Sequence, residues 1–137
     1  MKEAVYFVGA GPGDKDLITV KGMKVLQEAD VIIYAGSLVS PELLDWTKEG
    51  AQIYNSAGLN LNEVLTIIKE GVAQGKKVVR LHTGDPTIYG AIREQIDNLE
   101  QEGIECRVIP GVSSFTASAG AINKEVTLPA VGPTGLL

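Results

Sequence analysis

The stretch His82-Thr83-Gly84-Asp85-Pro86-Thr87-Ile88-Tyr89-Gly90 places an imidazole, hydroxyl groups, a carboxylate, a proline and two glycines directly after an apolar run. Glycine lets backbone N–H and C=O groups approach a ligand closely, and proline stiffens a turn without needing a partner for a donor. Three companions share this character: Gly9-Ala10-Gly11-Pro12-Gly13-Asp14, Tyr34-Ala35-Gly36-Ser37 and Pro110-Gly111-Val112-Ser113-Ser114, each following an apolar run of its own. Together they offer a polar rim rich in main-chain groups.

Taken singly, these residues have plainer readings. Asp14 and Asp16 precede an apolar-periodic stretch and read as helix caps. Asp85 either accepts bonds within its own turn or faces a ligand. His82, at the end of an apolar strand, reads as a satisfied polar group ahead of an acid or base. Ser113 and Ser114 either start a helix through Phe115 to Ile122 or contact a ligand, and Tyr89 reads as packing. Gly9 to Gly13 have the spacing G-x-G-x-G with Pro12 inside, and no acidic residue ends the run at Tyr34, so the G-x-G-x-x-G dinucleotide fingerprint is not met.

The elements that must position these loops alternate in type. Short apolar runs at Ala4 to Val8, Val31 to Tyr34, Ala51 to Tyr54, Lys77 to His82 and Glu105 to Ile109 read as strands, and longer helical patterns separate them. Asn60 and Glu63 have capping-box spacing, Leu61, Val64, Leu65, Ile68 and Val72 form one stripe, and Gly75 sits where a C′ residue belongs. A second stripe, Ile88, Ile92, Ile96 and Leu99, ends at Gly103, and Ser40-Pro41 offers an N-cap with proline behind it. A helix is also expected from about Leu17 to Ala29, with Gly22 inside it marking close packing. Alternating βα units predict an α/β fold: a mostly parallel five-stranded sheet with helices on both faces. In such sheets ligands bind outside the carboxyl ends of the strands, where all four unusual segments fall.

Composition narrows the function. A chain of 137 residues, 45% hydrophobic, buries one real core. The net charge of −5 and the lack of a basic block argue against a nucleic-acid footprint. Cys106 is the single cysteine, so no internal disulfide forms, and one His with one Cys makes no dedicated metal cluster. No apolar run approaches the roughly 20 residues of a membrane span, and no secretory leader is evident, so a cytoplasmic protein is expected.

In combination the segments are more specific. Gly9-Ala10-Gly11-Pro12-Gly13-Asp14 with Leu17 to Gly22, then Tyr34-Ala35-Gly36-Ser37-Leu38-Val39, then Gly84-Asp85-Pro86-Thr87-Ile88-Tyr89-Gly90, then Ile109-Pro110-Gly111-Val112-Ser113-Ser114-Phe115, resemble the tetrapyrrole methylase family over nearly the whole chain. The Tyr34 to Val39 stretch is most similar to the branch that methylates precorrin-4 or cobalt-precorrin-4 at C11 in cobalamin synthesis. The resemblance implies S-adenosylmethionine as co-substrate, contacted by Pro12, Thr83, Gly84, Asp85, Ile88, Ser113 and Ser114. It places the tetrapyrrole against Gly11, Gly13, Asp14, Ser37 and Tyr89, and implies a homodimer for the full-length protein. Other members carry an Asp after the second strand and a Lys after the third, where this chain reads Tyr34-Ala35-Gly36-Ser37 and Asn55-Ser56-Ala57, so no catalytic acid or base is assigned. Family members run to about twice this length. Residues 1–112 are therefore expected to form the N-terminal domain, and 113–137 a linker helix with the start of a largely missing second domain. A non-catalytic remnant and a methylase of other regiospecificity (precorrin-2, precorrin-3B or uroporphyrinogen III) are the alternatives.

Overall fold

The computed structural model describes residues 4–12, 15–34, 41–82 and 92–112. Five strands, β1 (Val5–Gly9), β2 (Val31–Tyr34), β3 (Gln52–Asn55), β4 (Val78–His82) and β5 (Cys106–Ile109), form one sheet in the order β3-β2-β4-β1-β5. Every pairing is parallel. The helices are α1 (Val20–Glu28), α2 (Leu61–Ala73) and α3 (Arg93–Gln101), with a 3₁₀ helix at Pro41–Trp46 and 3₁₀ turns at Lys15–Leu17 and Ser56–Gly58.

Period-2 alternation splits the strand side chains between two cores. On one face Val8, Ile32, Val79 and Leu81 pack with Val25 and Leu26 of α1 and Leu43 of the 3₁₀ helix. On the other, Val5, Phe7, Ile33 and Val78 pack with Val64, Leu65 and Ile68 of α2 and Ile92 and Leu99 of α3. Both faces are covered, as the near-continuous apolar strands require. The connections after β1 and β2 thus run over the first face, and those after β3 and β4 over the second.

Local chemistry sets the helix ends. Asn60 Oδ1 accepts from the Glu63 amide while Glu63 Oε1 accepts from the Asn60 amide, the reciprocal box expected from their spacing. Gly75 adopts φ 72° just past the end of α2. The first helix departs from expectation: α1 begins at Val20, because Thr19 Oγ1 accepts the Gly22 amide at 3.0 Å and so caps it. Asp16 lies instead in the separate turn at Lys15–Leu17, and Asp14 is outside the described residues. Also outside them are Ser40, Ile88 and all of 113–137, including the expected helix from Phe115. Gly22 does mark close packing, since a Cβ there would sit 3.1 Å from Val8 Cγ1.

The amino edge of the sheet is tied by charge. Asp30, just before β2, takes Lys48 Nζ on one oxygen (2.6 Å) and the Lys77 amide on the other (2.8 Å), linking the starts of β2, β3 and β4. Lys77 Nζ in turn meets Glu28 Oε2 at 2.6 Å and lies 4.9 Å from the Tyr6 ring centroid. The lysine partners hold both carboxyls below their ordinary values: Lys77 for Glu28, Lys48 for Asp30.

Gly71 is where α2 approaches β4 most closely, and a Cβ there would meet Val78 Cγ2 at 2.7 Å. Gly71→Ala is expected to destabilise by about 1–3 kcal/mol through overpacking. Gly58→Ala, where a Cβ meets nothing within 4 Å, is expected to stay within about 0.5 kcal/mol of wild type. Denaturant midpoints of the two variants check the contrast, and equal values would refute it.

Candidate functional site at the carboxyl edge of the sheet

Because all five strands run the same way, the ends at Gly9, Tyr34, Asn55, His82 and Ile109 share one edge. Register aligns them: Gly9 lies opposite His82, Tyr34 opposite both Leu81 and Asn55, and Val8 opposite Ile109. The central strand β4 sits between β2 and β1, yet its connection leaves to the face opposite theirs. In open α/β sheets the point where adjacent connections part in this way, above the strand ends, is the usual ligand position.

The glycine-rich turn after β1 is held against β4 beyond the end of the strand. The Ala10 amide donates to the His82 carbonyl at 2.6 Å. Gly11 follows with φ +81°, and a Cβ there would stand 3.0 Å from the Leu17 carbonyl oxygen, so neither the backbone angle nor the space admits a side chain. Gly11 is buried and Pro12 half-buried, which leaves main-chain groups as what this turn presents. Of the twelve residues implied as donor or tetrapyrrole contacts, Gly11 and Pro12 are described. Gly13, Asp14, Ser37, Thr83, Gly84, Asp85, Ile88, Tyr89, Ser113 and Ser114 lie outside the described residues. The edge does gather the flanks of their segments: Pro12, Tyr34, His82 and Val112.

Two contacts tie neighbouring loops together. Ser56 Oγ donates to the Tyr34 carbonyl at 3.1 Å, so the end of β3 braces the end of β2, and Asn55 Oδ1 accepts the Ala57 amide at 2.9 Å. Lys15, in the β1 connection, lies with its ammonium 6.0 Å from the Trp46 ring centroid in the connection after β2. The polar groups of Asn55 and Ser56 are thus engaged in bracing.

His82 faces the α2/α3 side, stacked on Phe7 with ring centroids 6.1 Å apart. Its Nε2 is buried with no hydrogen-bond partner among the described residues. Burial, with a smaller contribution from the nearby Arg80 charge, lowers its pKa to about 4. The imidazole is therefore neutral at physiological pH and unsuited to serve as a general acid there. Cys106, half-buried on β5, has its thiol pushed up to about 11 by burial and by Glu100 and Glu105, so it is a poor nucleophile at neutral pH. Among the described residues no group of three or more His, Cys, Asp or Glu side chains is placed to hold a metal ion, and no helix is long and apolar enough to cross a membrane.

Reading the sequence missed Arg80, Gln95 and Ser56. Arg80 is only 8% exposed, inside a run read simply as an apolar strand. Its signal was present: a charge in the middle of Val78-Val79-Arg80-Leu81 on a strand covered on both faces has nowhere to go but the interior.

Residues 4–132 match the model of the tetrapyrrole (corrin/porphyrin) methylases. The chain is 58% identical over 133 residues to cobalt-precorrin-4 C(11)-methyltransferase of Methanocaldococcus jannaschii and 49% identical to that of Priestia megaterium, covering 97% of this chain in each case. It spans about half the length of these relatives, 51% and 52%. Among solved structures, the cobalamin biosynthetic enzyme cobalt precorrin-4 methyltransferase superposes with a TM-score of 0.89 at 50% identity, over 93% of this chain and 53% of that one. Uroporphyrin-III C-methyl transferase from Thermus thermophilus, complexed with S-adenyl homocysteine, gives 0.72 at 35% identity, over 85% and 48%.

The His82 environment makes a pH prediction. The folded pKa lies below the ordinary 6.5, so as pH falls through 6.5 the unfolded chain takes up a proton that the native chain refuses. Stability should fall between pH 6.5 and about 4 and then level off for this group, by an amount on the order of 1–3 kcal/mol. In His82→Gln that component should vanish. Denaturant unfolding of both proteins across pH 4–7.5 checks it, and parallel curves would show that His82 is not held neutral.

Proposed function

The chain belongs to the tetrapyrrole (corrin/porphyrin) methylases, and on that premise we propose that it is the donor-binding part of an S-adenosylmethionine-dependent methyltransferase of cobalamin biosynthesis, acting at C11 of precorrin-4 or its cobalt form. The observation that carries this reading is the carboxyl edge itself, where Gly9-Ala10-Gly11-Pro12 is bonded to the end of β4. The identity to relatives named for C11 methylation, 58% and 49%, exceeds that to the uroporphyrin-III enzyme, 35%. This supports C11 over the other ring positions.

In this reading Pro12, Thr83, Gly84, Asp85, Ile88, Ser113 and Ser114 hold S-adenosylmethionine, and Gly11, Gly13, Asp14, Ser37 and Tyr89 face the tetrapyrrole. Residues 113–137 lead from the N-terminal domain, 1–112, toward the half of the relatives that this chain does not match. The working protein is a cytoplasmic homodimer, with neither nucleic acid nor membrane as partner. The chemistry asks little of side chains. A sulfonium methyl is already activated: the electron pair of a ring carbon forms the new C–C bond while the C–S pair withdraws to sulfur, leaving a thioether. Holding the carbon and the methyl about 3–3.5 Å apart and in line is the main task. A rim of backbone groups on a rigid sheet suits it, and no acid or base is required of the described residues.

Gly84→Val tests the donor assignment, because a branched side chain in the Gly84-Asp85-Pro86 segment should block main-chain approach to the donor. Calorimetric titration with S-adenosylmethionine is expected to show affinity weakened by more than about tenfold, that is about 1.4 kcal/mol, with an unchanged circular dichroism spectrum. Wild-type affinity in the folded variant would sink the assignment. With cobalt-precorrin-4 and the matching half of the relatives supplied, a ¹³C-labelled methyl should appear at C11. Label at another ring carbon would keep the family and overturn the regiochemistry.

A further inference from the structure

Arg80 is the interior residue that the fold does not account for. On the α2/α3 face, β4 carries Val78, Arg80 and His82 in succession, and register puts Arg80 in one row with Phe7 of β1 and Ile33 of β2, both fully buried. Arg80 is 8% exposed as a whole residue, and burial lowers its pKa. Among the described residues no carboxylate lies within ion-pair distance. Its bonds are long: Nε donates to Gln95 Oε1 at 3.4 Å and Nη1 to the Ile33 carbonyl at 3.3 Å, beyond the usual 2.7–3.2 Å of an N–H···O bond. Among the described residues the desolvation of Arg80 is only weakly offset, and an apolar side chain of similar volume commonly stabilises as well as a buried charge or better.

The three elements Arg80 joins are more informative than the strength of its bonds. Gln95 lies in the first turn of α3, just after the 83–91 segment; Arg80 itself lies just before that segment; Ile33 immediately precedes Tyr34, where the 35–40 segment begins. One side chain therefore contacts residues beside both ends of the first segment and the start of the second, from beneath the carboxyl edge. We propose that Arg80, through Gln95 and the Ile33 carbonyl, is a positioning residue that sets where the 83–91 and 35–40 segments leave the sheet. Its consequence for the donor rests on the reading that residues 83–88 contact S-adenosylmethionine.

The test compares wild type, Arg80→Met and Gln95→Leu in three measurements: thermal midpoint, amide hydrogen exchange by mass spectrometry, and calorimetric titration with S-adenosylmethionine. Arg80→Met is expected to keep or raise the midpoint while amides in 83–96 exchange about tenfold faster, those of β1, β5 and α2 stay unchanged, and donor affinity falls about tenfold. Gln95→Leu, which leaves the guanidinium in place, should reproduce the local exchange change, so the idea remains open to refutation even if Arg80→Met does not fold. A lower midpoint with faster exchange spread across the sheet, or unchanged exchange in 83–96, would make Arg80 an ordinary core residue and overturn the proposal. Failure of wild type to bind the donor would instead sink the donor reading, while the exchange comparison would still decide the role of Arg80.

Discussion

The placement of β4 in the middle of a wholly parallel sheet is the constraint on which the rest depends. A parallel strand can reach its neighbour only through a crossover, and crossovers are right-handed. Chain travel from β1 to β2 to β3 therefore uses one face, and the return through β4 to β5 uses the other. Since β4 lies between β2 and β1, its connection parts from both of theirs. Continuous burial of Val78, Val79 and Leu81 follows from that central place, as does the gathering of the strand ends that precede the unusual segments.

The fold was largely legible because its signals are local. Strand runs, the Asn60/Glu63 box, Gly75 and Gly103 beyond their helices, and the tight packing at Gly22 each depend on a few consecutive residues, and each is found where expected. The start of α1 was misplaced by three residues for a physical reason. Asp14, Asp16 and Thr19 are all capable caps, and the choice of Thr19 depends on how Gly22 seats against Val8 on a strand distant in the helix's own frame. Strand order and the pairings of Arg80 and Ser56 were illegible for the same reason: they join residues 47, 15 and 22 positions apart. At the site, segment character was readable, and with it the glycine at Gly11 that positive φ demands. The bracing contacts beneath the rim were not.

Polarity along the inward face of β4 makes a gradient. Val78 at the amino edge is apolar, Arg80 is a cation held by long bonds, and His82 at the carboxyl edge is an imidazole kept neutral. The cation contributes to keeping its neighbour uncharged, so Arg80 and His82 together carry one positive charge, set one row back from the edge. Natural folds depart from the best apolar packing mainly near functional sites, and here the departure lies along one strand and grows toward one edge.

The opposite edge obeys a different rule. There Glu28, Asp30, Lys48 and Lys77 form exposed or half-exposed pairs, each worth little alone. Together they fix the starts of β2, β3 and β4. Strands of four or five residues separate the two edges by roughly 13–17 Å, more than the Debye length of about 8 Å at physiological ionic strength. Charge at the amino edge serves the stability of that edge, while among the described residues Arg80 is the charge buried close to the carboxyl edge. The described part of the rim, Gly11 and Pro12, has few side-chain atoms through which to adjust its own position, so its accuracy is inherited from the sheet beneath. Among the described residues, buried Arg80 and half-buried Ser56 are the side chains that brace the strand ends beneath it.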